Sequence, residues 1–341
     1  MKYINLPDNT THRLSFYLAM EEFVAKNICC DDCFFMWQVK PSVIFGRNQL
    51  IESEVNTEYC KANGISMFRR KSGGGCVYAD MSNIMFSYIT TETNVNFTFN
   101  RYIGMVVAAL RKMNVKAVPS GRNDILIDGK KVSGNAFYSI PGHSIVHGTM
   151  LYDTDMRNMT GAITPSDEKL ISKGVESVRQ RITLLKDHTD MTLGEFMIFM
   201  RQHLCDESIT ITHEDVERIK EIEKEYLTDD FIYGKNPRYS LSRKKRIEGV
   251  GDIEIRMEVK NNIIKKVNML GDFFIAGDID NGILKHLRDT PLNMKSITEA
   301  LPEDIESHIP HLKKDILARL IAGETDSETR NPGKQTNKTA E

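Results

Sequence analysis

The chain has 341 residues, 40% hydrophobic and 27% charged, the composition of a soluble chain long enough for two domains. Forty-five Lys and Arg against 47 Asp and Glu leave a net charge of -2, which excludes the basic surface of a nucleic-acid binder. No apolar run approaches the ~18 residues of a bilayer span, and the start lacks a signal-peptide pattern, so no membrane is expected.

Leu14, Tyr17, Leu18 and Val24 fall near helical spacing and predict a helix over 14–27. The cluster Cys29, Cys30 and Cys33 lacks the second Cys/His pair of a zinc site. With Cys60, Cys76 and Cys205 these read as reduced thiols of a cytoplasmic protein. Residues 33–39, 42–45 and 84–89 read as strands, the second broken by Gly46. A helix is expected over 100–113, capped by Asn100, with Ile103, Val106, Val107, Leu110 and Met113 on one face.

Asp128-Gly129 between two short apolar runs signals a two-residue hairpin turn. Leu126 then faces Lys131 and Asp124 faces Ser133, which puts all four on one side of the ribbon. Asp124 and Lys131 become diagonal neighbours, roughly 7–8 Å apart at the backbone. A strand over 145–151 places His147, Thr149 and Leu151 together. Around 229–250 the acidic pair Asp229-Asp230, Gly234, Pro237 and the run Arg243–Arg246 suggest a surface connection. The alternation Ile253, Ile255, Met257, Val259 predicts a strand with one wet face, and Asn261-Asn262 turns the chain back. Helices follow to Leu320, and 324–341 reads as a disordered tail. The expected division is 1–245, 246–323 and the tail. Strands and helices of the first unit do not alternate as in a doubly wound sheet, so the expected class is α+β with a mixed sheet.

Chemistry concentrates in three segments. In Arg69-Arg70-Lys71-Ser72-Gly73-Gly74-Gly75-Cys76-Val77-Tyr78, three glycines let backbone amides converge on an anion. The preceding Arg69, Arg70 and Lys71 supply positive charge for phosphate or carboxylate. It is not a Walker A loop, because Lys71-Ser72 precedes the glycines. In Gly121-Arg122-Asn123-Asp124 with Lys130-Lys131-Val132-Ser133-Gly134-Asn135-Ala136, Lys131 shares a ribbon face with Asp124, and small residues beside it leave room for a ligand. In Ile145–Leu151, His147 alone carries no proton-transfer assignment.

Together these segments resemble the lipoate–protein ligase family. Arg69–Tyr78 is similar to its RRxSGGG loop, Gly121–Asp124 with Lys131–Ala136 to its GRND…KVSG(S/N)A block, and His147–Leu151 to its HGTLL strand. Val43–Gln49, Lys173–Thr183 and Tyr233–Pro237 resemble VxIGRxQN, KGIxSVRSRVTN and FGxxP, and Gly271–Phe274 is similar to the accessory domain. The order holds from about residue 14 to about 275. One departure is Ala79-Asp80, where the family has His-Asp.

The resemblance implies a biotin-ligase-like catalytic domain related to class II synthetase cores, with a small α+β C-terminal domain. It implies that ATP, with Mg²⁺, activates lipoate to lipoyl-AMP, and that a lysine of an acceptor protein then takes the lipoyl group. On that pattern Lys131 is the catalytic group. Arg70, Gly75, Cys76, Val77 and Tyr78 hold ATP or adenylate, with Lys131. Ser72, Val77, Ala136 and His147, again with Lys131, meet the lipoate. Asp124 with Asn123 either binds Mg²⁺ or orients Lys131. The implied acceptors are lipoyl domains of 2-oxoacid dehydrogenase complexes and the glycine-cleavage carrier protein, and a monomer is expected. The alternative is a lipoyl or octanoyl transferase that uses no ATP. Its thioester-forming members need a cysteine beside the acyl site, and none occurs between Cys76 and Cys205. A biotin ligase would carry GRGRxG, which is missing, and a passive binder has no use for Lys131 beside a glycine loop.

Overall fold

The computed structural model describes residues 1–49, 51–120, 123–163, 181–233 and 241–323. Fourteen strands are present among them: β1 (Lys2–Asn5), β2 (Asp32–Trp37), β3 (Ser42–Phe45), β4 (Ser66–Arg69), β5 (Val77–Ala79), β6 (Ile84–Thr90), β7 (Ala117–Pro119), β8 (Asp124–Ile127), β9 (Lys130–Ile140), β10 (His143–Met150), β11 (Glu207–Thr210), β12 (Leu241–Ile247), β13 (Gly251–Lys260) and β14 (Ile263–Gly271). Eight form one sheet in the order β11-β1-β2-β6-β10-β9-β8-β7. β1 runs parallel to both neighbours and the other pairings are antiparallel. The mixed sheet is the one expected of an α+β fold.

Both faces of that sheet are buried because its central strands are apolar on both sides. On β2, Phe35 and Trp37 join a core with the helix α1 (Leu14–Asn27). Phe34 and Met36 point the other way, into a second core with α2 (Val95–Lys112) and α3 (Leu193–Leu204). A fourth helix, α4 (His213–Tyr226), packs Val216, Ile219 and Tyr226 onto the α1 side. α1 starts and ends where its spacing predicts. α2 starts five residues before the expected Asn100, because Asn94 accepts a hydrogen bond from the Phe97 amide at 3.0 Å and caps it there. Thr98 and Phe99 extend the buried stripe over that extra turn.

The Asp128-Gly129 turn is present, with φ of 49° and 76°, as a two-residue hairpin requires. Leu126 faces Lys131 as expected, but a bulge between Ile125 and Leu126 shifts the ladder. Asp124 therefore faces Gly134, not Ser133. An extra residue in one strand re-aims every side chain beyond it, and no composition signal announces it.

A separate small sheet, β12-β13-β14, has its own core with the helix α5 (Lys314–Ala322), which Gly323 ends in the left-handed conformation. Asn261 and Asn262, with φ of 52° and 60°, make the predicted turn. Arg243–Arg246 is not a connection. It lies in β12, paired to β13 from Leu241↔Met257 to Ile247↔Gly251, and Arg246 meets Asp252 at 2.9 Å. The predicted tail, most of Lys173–Thr183 and most of Tyr233–Pro237 lie outside the described residues.

Candidate active site

The third sheet, β4-β3-β5, carries the glycine loop between β4 and β5. It faces the large sheet across a slot of about 90 Å³. Leu18 of α1, Trp37, Ile44, Val77, Met85 and Ala136 make the apolar wall, and Arg70, Asn123, Lys131, Asn135 and His147 line the polar end. An apolar cleft with a few converging polar groups is the ordinary form of a small-molecule site.

Lys131 is the best-defined cation there. Its ammonium sits 2.8 Å from the Asp124 carboxylate, with both side chains partly exposed. Gly134 makes room for it, since a Cβ there would lie 2.5 Å from Lys131 Nζ. Asn123 and Asn135 clamp the two ends of the hairpin. Asn123 Nδ2 donates to the Asn135 carbonyl at 3.1 Å, and Asn135 Nδ2 donates to the Asn123 carbonyl at 3.0 Å. Asn135 in turn fits only because residue 148 is glycine, where a Cβ would fall closer than 3.0 Å to Asn135 Oδ1.

The basic run before the loop does not project into the slot as three free cations. The Arg69 guanidinium donates to the carbonyls of Gly46, Arg47 and Gln49 at 3.1, 2.8 and 2.9 Å and lies over the Phe45 ring. Arg70 donates to the carbonyls of Gly73, Gly75 and Ile44 at 2.6, 2.8 and 3.1 Å, and to Ser72 Oγ at 2.9 Å. Burial pushes its pKa down to about 10, so it stays charged at neutral pH. Lys71 reaches away to Glu22 at 2.7 Å and Glu225 at 2.9 Å. The loop is thus held from within. The Arg47 amide donates to the Ser72 carbonyl at 2.9 Å, and Gly46 approaches so closely that a Cβ would strike the Gly74 carbonyl oxygen. Gly75 alone of the three has open space at its Cβ position, so nothing obstructs approach from that side.

Of the residues singled out in the sequence, Arg70, Gly75, Cys76, Val77, Asn123, Lys131, Ala136 and His147 meet at the slot. Ser72 and Tyr78 are fully buried. Ser72 lies behind the loop, between Arg70 and His147. Asp124 stands beside the slot and touches Lys131. The sequence reading missed Glu21, Trp37 and Met85. Trp37 and Met85 line the slot. Glu21 lies behind it, its carboxylate 3.0 Å from His147 Nδ1 and 2.6 Å from Ser87 Oγ. The available signal was Glu21-Glu22 in the middle of an otherwise apolar helix, where acids are almost never buried without partners.

Residues 14–205 match the family model described as lipoyl protein ligase A/B catalytic domain, and residues 236–321 match bacterial lipoate protein ligase C-terminus. The chain is 36% identical over 274 residues to the lipoate-protein ligase LplJ of Bacillus subtilis, covering 77% of this chain and 82% of that one. It is 33% identical over 335 residues to lipoate–protein ligase 1 of Staphylococcus aureus, covering 94% and 100%. Among solved structures, the bipartite lipoate protein ligase of Thermoplasma acidophilum, described with its E2 lipoyl domain, superposes with a TM-score of 0.61 at 27% identity, covering 70% of this chain and 98% of that one. Lipoate-protein ligase A bound with ATP gives 0.59 at 25% identity, covering 68% and 98%. The P. falciparum LipL1 complex with lipoate gives 0.74 at 21% identity, covering 95% and 98%, which shows the shared fold. A Lys131–Asp124 pair at the mouth of an apolar slot, a braced glycine loop and these matches lead to one assignment: the chain belongs to the lipoate–protein ligase family.

Proposed function

We infer that the protein activates lipoate with ATP and passes the lipoyl group to a lysine of an acceptor protein. The observation that carries this reading is the Lys131 ammonium, fixed by Asp124 at 2.8 Å between an apolar slot and a glycine loop. In the first half-reaction a lipoate carboxylate oxygen attacks the α-phosphorus of ATP, and pyrophosphate leaves. In the second, the acceptor amine attacks the acyl carbonyl, the C–O bond to phosphate breaks, AMP leaves, and the amine loses its proton to solvent. Both steps gather negative oxygens at one point, where a fixed cation and amides act most strongly. Lys131 is the catalytic residue of this reading, placed between carboxylate and α-phosphate. The backbone at Gly75, Cys76, Val77 and Tyr78 faces the nucleotide.

Arg70 contributes charge and loop shape, since its donors already serve the carbonyls of Ile44, Gly73 and Gly75. Val77 and Ala136 join Trp37 in packing the acyl chain and dithiolane, and His147 closes the polar side of the slot. Of the two roles open to Asp124, its contact with the ammonium favours orienting Lys131. Among the described residues, the carboxylate nearest the slot is Asp124, already held by Lys131, and Mg²⁺ would enter with the nucleotide as MgATP.

The acceptors would be lipoyl domains of 2-oxoacid dehydrogenase complexes and the glycine-cleavage carrier. The Thermoplasma ligase described with its E2 lipoyl domain supports the first. Six free cysteines support a reducing cytoplasm. The test is to incubate the protein with free lipoate and an apo lipoyl domain, with and without ATP, and weigh the acceptor. Modification only with ATP is expected. Modification from an octanoylated carrier in the absence of ATP, and none from free lipoate, would establish the transferase instead.

A further inference from the structure

We propose that Glu21 is a positioning residue that sets the acyl slot and the nucleotide loop together through one buried carboxylate. This rests on the placement of lipoate and ATP given above. Glu21 lies on α1 with no exposed surface, and its carboxylate accepts from three side chains. Ser87 Oγ donates to Oε1 at 2.6 Å, Tyr138 O–H donates to Oε2 at 3.3 Å, and His147 Nδ1 lies 3.1 and 3.0 Å from the two oxygens.

Two arms leave this hub. In the first, Ser87 Oγ accepts the Trp37 indole N–H at 2.9 Å, and Trp37, stacked on Tyr17 with ring centres 4.8 Å apart, is a wall of the acyl slot. In the second, His147 Nε2 is 2.7 Å from Ser72 Oγ. Ser72 accepts the Arg70 Nε–H at 2.9 Å, and Arg70 grips the Gly73 and Gly75 carbonyls.

The direction of these bonds follows from chemistry. A carboxylate only accepts, so in the neutral ring it fixes the His147 proton on Nδ1. Nε2 is then left to accept the Ser72 hydroxyl proton, and the Ser72 oxygen is free to accept from Arg70. With the ring neutral, this orientation gives each group from Glu21 to Arg70 a partner. A glutamine at position 21 would keep the volume but offer one acceptor oxygen in place of two, with an N–H₂ in the other position. That single oxygen cannot serve Ser87, Tyr138 and His147 together, so at least one arm loses its acceptor in a region where unpaired polar groups are costly.

The experiment compares Glu21→Gln with single-arm variants by steady-state lipoate-dependent pyrophosphate exchange. Glu21→Gln is expected to raise KM for both lipoate and ATP, each by about tenfold. Ser87→Ala is expected to raise the lipoate constant only, and Ser72→Ala the ATP constant only. Nitrogen NMR of His147 should show the neutral ring protonated on Nδ1 in the parent, with both ring nitrogen signals displaced in Glu21→Gln as the charged acceptor is lost. A folded Glu21→Gln protein with both constants unchanged, or with the parent's His147 nitrogen signals, overturns the proposal. If Glu21→Gln does not fold, the single-arm variants decide: each moving its own constant supports the hub, and either one moving both or neither overturns it. Lys131→Ala in the same assay separates the two levels. If it exchanges normally, the placement of the reaction is wrong; if it is dead while Glu21→Gln is normal, only the role of Glu21 is.

Discussion

At the scale of single residues, the site depends on where one ammonium is held. Lys131→Ala should leave the fold intact and cost on the order of 3 kcal/mol in the adenylation barrier. Pyrophosphate exchange with lipoate present measures this directly, and a normal rate would remove Lys131 from the reaction. Gly134→Ala is a subtler probe. The new methyl would press on the flexible end of Lys131, 2.5 Å away at Nζ, so the side chain yields rather than the backbone. Thermal stability should hardly change, while kcat falls by about a hundredfold, the usual consequence of an ångström-scale misplacement. Lys131 and Asp124 were legible as partners because a two-residue turn and side-chain alternation bring them together. Their ladder register was not, because the bulge at Ile125 and Leu126 carries no residue signature. Glu21 was illegible for a different reason: its partners Ser87, Tyr138 and His147 lie 66, 117 and 126 positions away.

At the scale of elements, the glycine loop is held by its neighbours more than by its own sequence. Gly46, at the end of β3, lies against the Gly74 carbonyl so closely that a Cβ would come within 3.0 Å of it. Backbone cannot rotate away as a side chain can. Gly46→Ala should therefore cost about 1–3 kcal/mol, as overpacking does, and should raise the ATP constant with it. A variant with the parent melting temperature and ATP constant would show the loop to be freer than its contacts imply. The helix pair α1 and α4 is tied to the same loop by Glu22. Burial raises the Glu22 pKa, but Lys71, Tyr226 and Lys26 together outweigh burial and hold it below its ordinary value. A carboxyl lowered on folding contributes stability that is complete above the ordinary carboxylate range and is lost as pH falls through its own lower value. Acid unfolding of Glu22→Gln should lack that component, giving a flatter loss of stability below the ordinary range; an unchanged acid limb would count against it. The helices were readable because their apolar stripes are periodic, and the start of α2 was misplaced because Asn94 and Asn100 are equally good caps by type. The basic residues of β12 looked like a connection because charge masks an edge strand whose pairing lies in β13.

At the scale of the whole molecule, a second small unit was expected from the sequence, but its start was placed at 246, inside β12 (Leu241–Ile247), and its contact with the first unit was not foreseen. The accessory unit reaches the catalytic loop through the end of β14 and the segment after it. The Gly271 amide donates to the Asn48 carbonyl at 2.9 Å, and the Gly74 amide donates to the Phe273 carbonyl at 3.0 Å. Phe274 stacks on Phe137 with ring centres 6.1 Å apart and lies against Gly74. These contacts join positions far more than a hundred residues apart in the chain, so no local pattern marks them. They have an energetic consequence. An amide that donates to a carbonyl is not available to a phosphate, so a nucleotide on the neighbouring Gly75–Tyr78 backbone that also drew on the Gly74 amide would compete with the docked accessory unit. Phe274→Ala removes an aromatic contact worth roughly 1 kcal/mol from the docked arrangement alone. By linkage, ATP should then bind about fivefold more tightly, measured by calorimetry on the full chain. The small unit should keep its fold, because its core of Ile253, Ile255, Met257 and Leu317 is independent of Phe274. Weaker binding would mean that the docked face is itself part of the nucleotide site, and that Phe274 packs against the nucleotide instead of holding its place.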